Sequence, residues 1–297
     1  MTAPTARAAI EVFGTTFQNP VLLASGTAGF GREIAGVIAI DRLGGIVTKA
    51  VSPEPRPGHA PPRVAEFAGG MINAIGLANP GMEHVATVGL PWLAEHLVHA
   101  RVIVNVVGSM VGDYVTVVRR LSQLEVVTAF ELNVSCPNTA RGGEEFGANE
   151  STLSELVASC KAETDRPLIV KLAPTLSDPA RTADAAARAG ASGFSLVNTM
   201  PGALYREHAG SNGQLPSRLG YGQGGVSGPA LLPIGVLATR RVRAKTGLPV
   251  IGVGGIRSLD DANQYFEAGA SLVAIGTAAL ANPRIPEGIA EAWSTRG

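Results

Sequence analysis

Eight short runs of aliphatic and β-branched residues recur along this 297-residue chain, and they constrain its fold more than any other feature. They are VLLASG from Val21, GIVTKA from Gly45, VIVNVVG from Val102, AFELNVS from Ala129, LIVKLAP from Leu168, GFSLVNT from Gly193, PVIGVGG from Pro249 and LVAIGT from Leu272. Each is nearly continuous in apolar residues, the pattern of strands buried on both faces. Helical patterns lie between several of them. NESTLSELVASCKAET opens on the capping residues Asn149 and Ser151. DPARTADAAARAGA has Asp178 and Pro179 at its start and Gly190 near its end, and SLDDANQYFEAGA repeats that asymmetry from Ser258 to Gly269. Eight strand–helix units in one chain predict an α/β fold, a (β/α)8 TIM barrel. The competing open, doubly wound sheet wants a G-x-G-x-x-G turn after its first strand. SGTAGFG does not fit that pattern, and IGVGGIR comes late and lacks the third glycine. EVFGTTFQNP, ahead of the first run, reads as a small hairpin capping the barrel floor. No linker or shift of composition divides residues 1–297, so one domain is expected.

Composition removes several function classes. Lys and Arg (24) balance Asp and Glu (24), so no overall basic field favours nucleic acid. No apolar run is long enough to span a membrane, and MTAPTARAAIEVFG lacks the apolar core of a signal peptide. A cytoplasmic location follows as the expectation. Two cysteines make no disulfide framework and cannot hold an iron–sulfur cluster, which usually takes four thiolates. Histidines 59, 84, 96, 99 and 208 show no metal-ligand spacing, so no metal is expected. There is no G-x-S-x-G elbow and no P-loop.

In such barrels chemistry sits at the C-terminal ends of the strands. The residues there are Ser25, Gly26, Lys49, Ala50, Asn105, Asn133, Ser135, Cys136, Lys171, Asn198, Thr199, Gly254, Gly255, Gly276 and Thr277. A further apolar segment, MINAIGLANPG, adds Asn73 and Asn79. Asparagine side chains both donate and accept, so several of them beside two lysines suit a flat, polar, amide-like ligand. Glycines ending two consecutive strands would expose backbone N–H groups to a phosphate, and GGVSGP (224–229) would add another from the start of the next helix. Cys136 opens CPNTARGGEEFG, whose glycines 142, 143 and 147 suggest a lid. A free thiol has a pKa of about 8.5, so work as a base calls for a nearby cation or a low-barrier approach, and Lys49 is a candidate cation. Cys160, inside a helical pattern, reads as an inert buried thiol.

NAIGLANPG, ELNVSCPN followed by GG and FG, VKLAP, VNT, GGVSGP, IGVGG and IGTA, in that order, resemble the dihydroorotate dehydrogenase family from about Ser25 to Thr277. The resemblance implies an FMN-dependent barrel oxidising (S)-dihydroorotate to orotate in pyrimidine (UMP) synthesis. It places the FMN phosphate on Gly254, Gly255, Gly276 and Thr277, with Gly228 nearby. Ser25, Lys49, Ala50, Asn105, Asn133, Lys171 and Val197 would line the flavin. Lys49, Asn73, Ala74, Ile75, Gly76, Leu77, Asn133, Asn198 and Thr199 would hold the substrate. Cys136 would take the C5 proton as a base, hydride would pass from C6 to the flavin N5, and Lys171 would stabilise the anionic reduced flavin.

Membrane-associated, quinone-using members carry an N-terminal helical extension and a serine base, both lacking here. The GG…FG lid is similar to the NAD-linked type, class 1B, which implies a homodimer core in a heterotetramer with a subunit carrying FAD and a 2Fe–2S cluster. The alternatives are a class 1A-like enzyme using fumarate or another FMN- or phosphate-binding barrel. A purine-nucleotide dehydrogenase would be colourless. A tRNA dihydrouridine synthase wants a basic RNA surface. A non-catalytic flavin scaffold would not respond to dihydroorotate. Two places depart from the family pattern: Thr175, where asparagine is expected, and the long Gly-rich stretch at 209–225.

Overall fold

The computed structural model describes residues 9–135, 137–138, 144–207 and 215–295. The chain opens with an antiparallel hairpin, β1 (Ile10–Val12) and β2 (Thr15–Phe17), turning through Phe13 and Gly14 at positive φ. It then enters the barrel with β3 (Val21–Leu23) and β4 (Gly45–Val47). It leaves for β5 (Val64–Phe67) and β6 (Gly70–Asn73), and returns with β7 (Arg101–Val106) and β8 (Val127–Asn133). The short antiparallel pair β9 (Pro137–Asn138) and β10 (Glu144–Glu145) follows. β11 (Leu168–Leu172) and β12 (Gly193–Leu196) continue the barrel, and β13 (Met200–Gly202) and β14 (Gly224–Ser227) leave it again. β15 (Val250–Val253) and β16 (Leu272–Ile275) complete it. The eight barrel strands are parallel and run in chain order, and β16 pairs with β3 to close the ring. All eight predicted runs supply these strands, and the predicted hairpin is present.

Helices cover the outside. α1 (Met82–His84) passes through a π turn into α2 (Leu90–His96). α3 (Val111–Leu121), α4 (Glu150–Lys161), α5 (Pro179–Arg188), α6 (Leu232–Thr246), α7 (Leu259–Glu267), α8 (Thr277–Ala281) and α9 (Ile285–Thr295) follow. The three helices legible in the sequence start where their caps put them. Asn149 Oδ1 accepts from the N–H groups of Ser151 and Thr152 at 3.1 Å, so Asn149 alone is the cap. Asp178 Oδ1 does the same for Ala180 and Arg181, and Ser258 Oγ accepts from Asp261 N. Among the described residues no helix is long and apolar enough to cross a membrane.

The strand alternation splits the apolar residues into two cores. Val170, Leu172, Phe194, Leu196, Phe130 and Leu132 face the helices. Leu22, Val47, Ile103, Ala129, Ile169, Ile251 and Leu272 fill the barrel, where Val12 and Phe17 of the hairpin join them. The hairpin therefore plugs the N-terminal end. At the other end, β13, β14, β6 and β5 form a four-stranded antiparallel sheet. The sequence reading did not contain this sheet: VAEF of β5 is interrupted by the exposed Glu66, and MPG and GGVS of β13 and β14 hold glycine and proline where the barrel strands hold aliphatic residues.

Phe17 is fully buried, so Phe17→Ala is expected to cost about 3–5 kcal/mol of stability. Asn149→Ala, which loses one cap, is expected to cost about 1 kcal/mol. Denaturant midpoints of the two variants check this order.

Candidate active site

β7, β8 and β11 lie side by side, and Asn105, Glu131 and Lys171 point from them into the upper barrel. Asn105 Nδ2 donates to Glu131 Oε1 at 2.6 Å, and Lys171 Nζ donates to the same oxygen at 3.4 Å. All three residues are buried, Glu131 to 1% exposure. Asn105 Oδ1 is also buried but has no hydrogen-bond partner, and neither has Ser195 Oγ on β12, opposite Lys171 in register. An unpaired buried polar atom costs roughly 1–3 kcal/mol, so these two atoms are accounted for if a polar ligand completes them.

A second chain of contacts runs across the mouth. Tyr114 Oη donates to the Asn133 carbonyl at 2.7 Å and pins the end of β8. Asn198 Nδ2 donates to Asn133 Oδ1 at 3.2 Å, and Thr199 N donates to Asn198 Oδ1 at 2.9 Å. Thr199 lies against Gly225, where any side chain would overlap its hydroxyl. Gly225 O in turn accepts from Asn73 Nδ2 at 3.2 Å. The structure thus brings Asn73, Asn133, Asn198 and Thr199 together.

Residues 73–77 are held in a tight bend. Ala74 N donates to Arg63 O, Ile75 O accepts from His59 N, and Gly76 and Leu77 both have positive φ. Leu77 packs on Ala50 and Val107. Asn79, expected among the ligand-binding asparagines, is instead consumed by this bend. It donates to Ser52 Oγ and Leu77 O, and accepts from Ser52 N and Gly81 N. That uses all of its hydrogen-bonding capacity. Lys49 and Ser25 are half-buried, and their side-chain polar atoms have no hydrogen-bond or ion-pair partner among the described residues.

The predicted phosphate residues also meet. Gly254 and Gly255 have φ of +118° and +77°, and a side chain on Gly255 would press against Leu232. Tyr265 Oη supports this turn from below by donating to the carbonyls of Val253 and Gly254. Val197 N donates to Val253 O at 2.8 Å just before it. Gly228, at φ +122°, opens the turn leading to α6, and Thr277 Oγ1 donates to Ser227 Oγ at 2.7 Å. Gly276 precedes α8 and is half-buried. In GGVSGP only Gly228 reaches this turn. Gly224 and Gly225 belong to β14, where their missing side chains admit Asn73 O and Thr199.

Cys136, glycines 142 and 143, and residues 208–214 lie outside the described residues. Gly147, expected as a lid hinge, is instead an anchor. It is buried in the turn Phe146–Ala148, and its N–H donates to Val134 O at 3.0 Å. Phe146 beside it packs edge-on against Tyr114. Thr175 is exposed in the turn after β11. Cys160 is fully buried in α4, and burial pushes its thiol up to about 12. Glu131 and Ser195 were missed by the sequence reading; Glu131 is the one that joins two candidate residues. The signal for Glu131 was a carboxylate inside the apolar run AFELNVS, two positions before Asn133 and so on the same strand face.

The family model for dihydroorotate dehydrogenase matches residues 7–295. This chain belongs to the dihydroorotate dehydrogenase family. It is 43% identical over 286 residues to the catalytic subunit of dihydroorotate dehydrogenase B (NAD(+)) from Anoxybacillus flavithermus, covering 96% of this chain and 89% of that one. The protein of the same description from Latilactobacillus sakei is 42% identical over 92% of this chain and 88% of its own. That from Listeria welshimeri is 40% identical over 94% and 90%. Membership of the family makes the chain an oxidoreductase acting on dihydroorotate.

In a Cys136→Ser variant the native protein is expected to show no thiol reacting rapidly with Ellman's reagent at neutral pH. Cys160 then reacts only on unfolding, because its thiolate is suppressed. A fast native thiol in that variant would contradict the burial of Cys160.

Proposed function

We propose that this chain is the FMN-binding catalytic subunit of an NAD-linked dihydroorotate dehydrogenase, converting (S)-dihydroorotate to orotate for pyrimidine synthesis. The observation that carries the proposal is one barrel mouth that joins the Asn73–Asn133–Asn198–Thr199 chain to the buried Asn105–Glu131–Lys171 chain. The residues suit FMN: a glycine-bordered turn for its phosphate, orphaned polar atoms for its ring edge, and a buried lysine beside them. Bound FMN would supply the two-electron acceptor for the hydride leaving C6 of the substrate.

The chain's own residues would do the rest. Backbone N–H groups around Gly228, Gly254, Gly255, Gly276 and Thr277 would bind the phosphate dianion. Ser25, Ala50, Asn105, Asn133 and Val197 would hold the ring system, with Lys171 placing positive charge at its pyrimidine edge. The ammonium of Lys49, unpaired among the described residues, would bind the substrate carboxylate and also touch the cofactor. Asn73, Asn133, Asn198 and Thr199 would match the amide edges of the dihydropyrimidine, while residues 74–77 close over it. The Cys136 thiolate would take the C5 proton as the C5–C6 double bond forms, and Lys49 would favour its ionised form.

The relatives are described as catalytic subunits, which supports a partner. In this reading the partner carries FAD and a 2Fe–2S cluster, passes electrons to NAD, and assembles on a homodimer of this chain in the cytoplasm. The whole chain acts as one domain.

The test is anaerobic. The purified chain should be yellow, and its visible flavin band should bleach on addition of dihydroorotate. A yellow protein that stays yellow would reject the substrate, and a colourless one that takes up no FMN would reject the cofactor. Cys136→Ser should retain the colour and slow bleaching at neutral pH by at least about 100-fold, because general-base catalysis of this kind contributes about 10²–10⁴. Stopped-flow rates equal to those of the parent would reject the base. Lys171→Ala should weaken FMN retention and lower stability by about 3–5 kcal/mol, since it leaves Glu131 buried without its cation.

A further inference from the structure

Glu131 touches neither the mouth nor solvent, yet it joins two residues that the proposed function assigns to the flavin. Its carboxylate is 1% exposed, and one oxygen receives both Asn105 Nδ2 and Lys171 Nζ. Two consequences follow from elementary chemistry. An ionised carboxylate only accepts hydrogen bonds, so it selects which end of the Asn105 amide turns towards it. The Nδ2 end is held, and Oδ1 is left buried, unpartnered and available as an acceptor. Second, a lysine paired with a buried carboxylate presents less net charge to a third group than a lone lysine does. In a low-dielectric interior that compensation is worth more than in water.

We infer that Glu131 is a positioning and tuning residue for the bound flavin, acting through its contacts with Asn105 and Lys171. It orients the Asn105 amide so that an acceptor faces a ring N–H donor. It also offsets the Lys171 charge, so that the site stabilises the reduced, anionic cofactor less than a lone lysine would. The inference rests on the proposed FMN site but concerns a residue that the reaction itself does not use. Burial in register with Ile169, above an apolar barrel interior, explains why a structural carboxylate alone is a poor account: an apolar side chain would fill the same position without a desolvation cost.

The experiment measures FMN binding and midpoint potential in the purified chain, by dithionite titration against a reference dye, in the absence of dihydroorotate. Glu131→Gln keeps the shape and removes the charge. It should favour reduced over oxidised FMN by about tenfold or more relative to the parent, a positive shift of about 30 mV for a two-electron couple. It should also weaken binding of oxidised FMN, because a glutamine amide can present a donor and release the Asn105 orientation. Equal potentials in parent and variant would overturn the role of Glu131 while leaving the flavin site intact. A parent chain that takes up no FMN would overturn the flavin reading and this inference together. Should Glu131→Gln not fold, the double variant Glu131→Gln/Lys171→Met is compared with Lys171→Met. If the Glu131 charge acts on the flavin, its removal in that background moves the potential to more positive values. Equal potentials in the two variants would overturn the tuning role.

Discussion

Closure of the barrel between β16 and β3 is the constraint on which the site depends. A closed parallel sheet has no edge and no solvent on its inner face, so side chains pointing inward must be apolar or paired. Strand alternation then stacks the interior in layers about 6.6–6.8 Å apart, two residues per step. Ile103 is followed by Asn105, Ile169 by Lys171, and Ala129 by Glu131 and Asn133. The change from apolar to polar on the same strand face marks the boundary between a layer that holds the barrel together and a layer that can hold a ligand.

That upper layer is not a set of independent binding groups. Asn105, Glu131 and Lys171 form one buried hydrogen-bonded unit, and Asn133, two residues from Glu131, passes the same strand on to Asn198 and Thr199. A shift of β8 along its neighbours would disturb both chains at once. Tyr114, holding the Asn133 carbonyl, and Phe146, packed on Tyr114, give that strand end a fixed place. Rigidity of this kind lowers the cost of organising a site when its ligand arrives.

The added sheet of β13, β14, β6 and β5 performs the complementary task. It brings Asn73 from one crossover and Gly225 from another to the rim formed by the barrel strands. Glycine at 225 is needed there for close approach to Thr199, and glycine at 255 for a positive φ beside Leu232. The same residue type therefore serves packing at one position and, in the proposed function, exposed N–H groups at the other. No count of glycines separates the two.

The eight barrel strands, the floor hairpin, three capped helices and the polar residues at the strand ends were determined by the sequence itself. Their signals are local: aliphatic runs, Asn, Asp or Ser caps, and polar residues placed at strand ends. The tertiary structure decided what depends on contacts far apart in the chain. It turned Asn79 inward to satisfy a bend, made Gly147 an anchor, and built a sheet from strands that lack an aliphatic run. It also joined Glu131 to a lysine 40 positions away. A hydrogen bond between neighbouring strands has no signature in either strand alone, because its partner is chosen by register, and register is set only when the barrel closes.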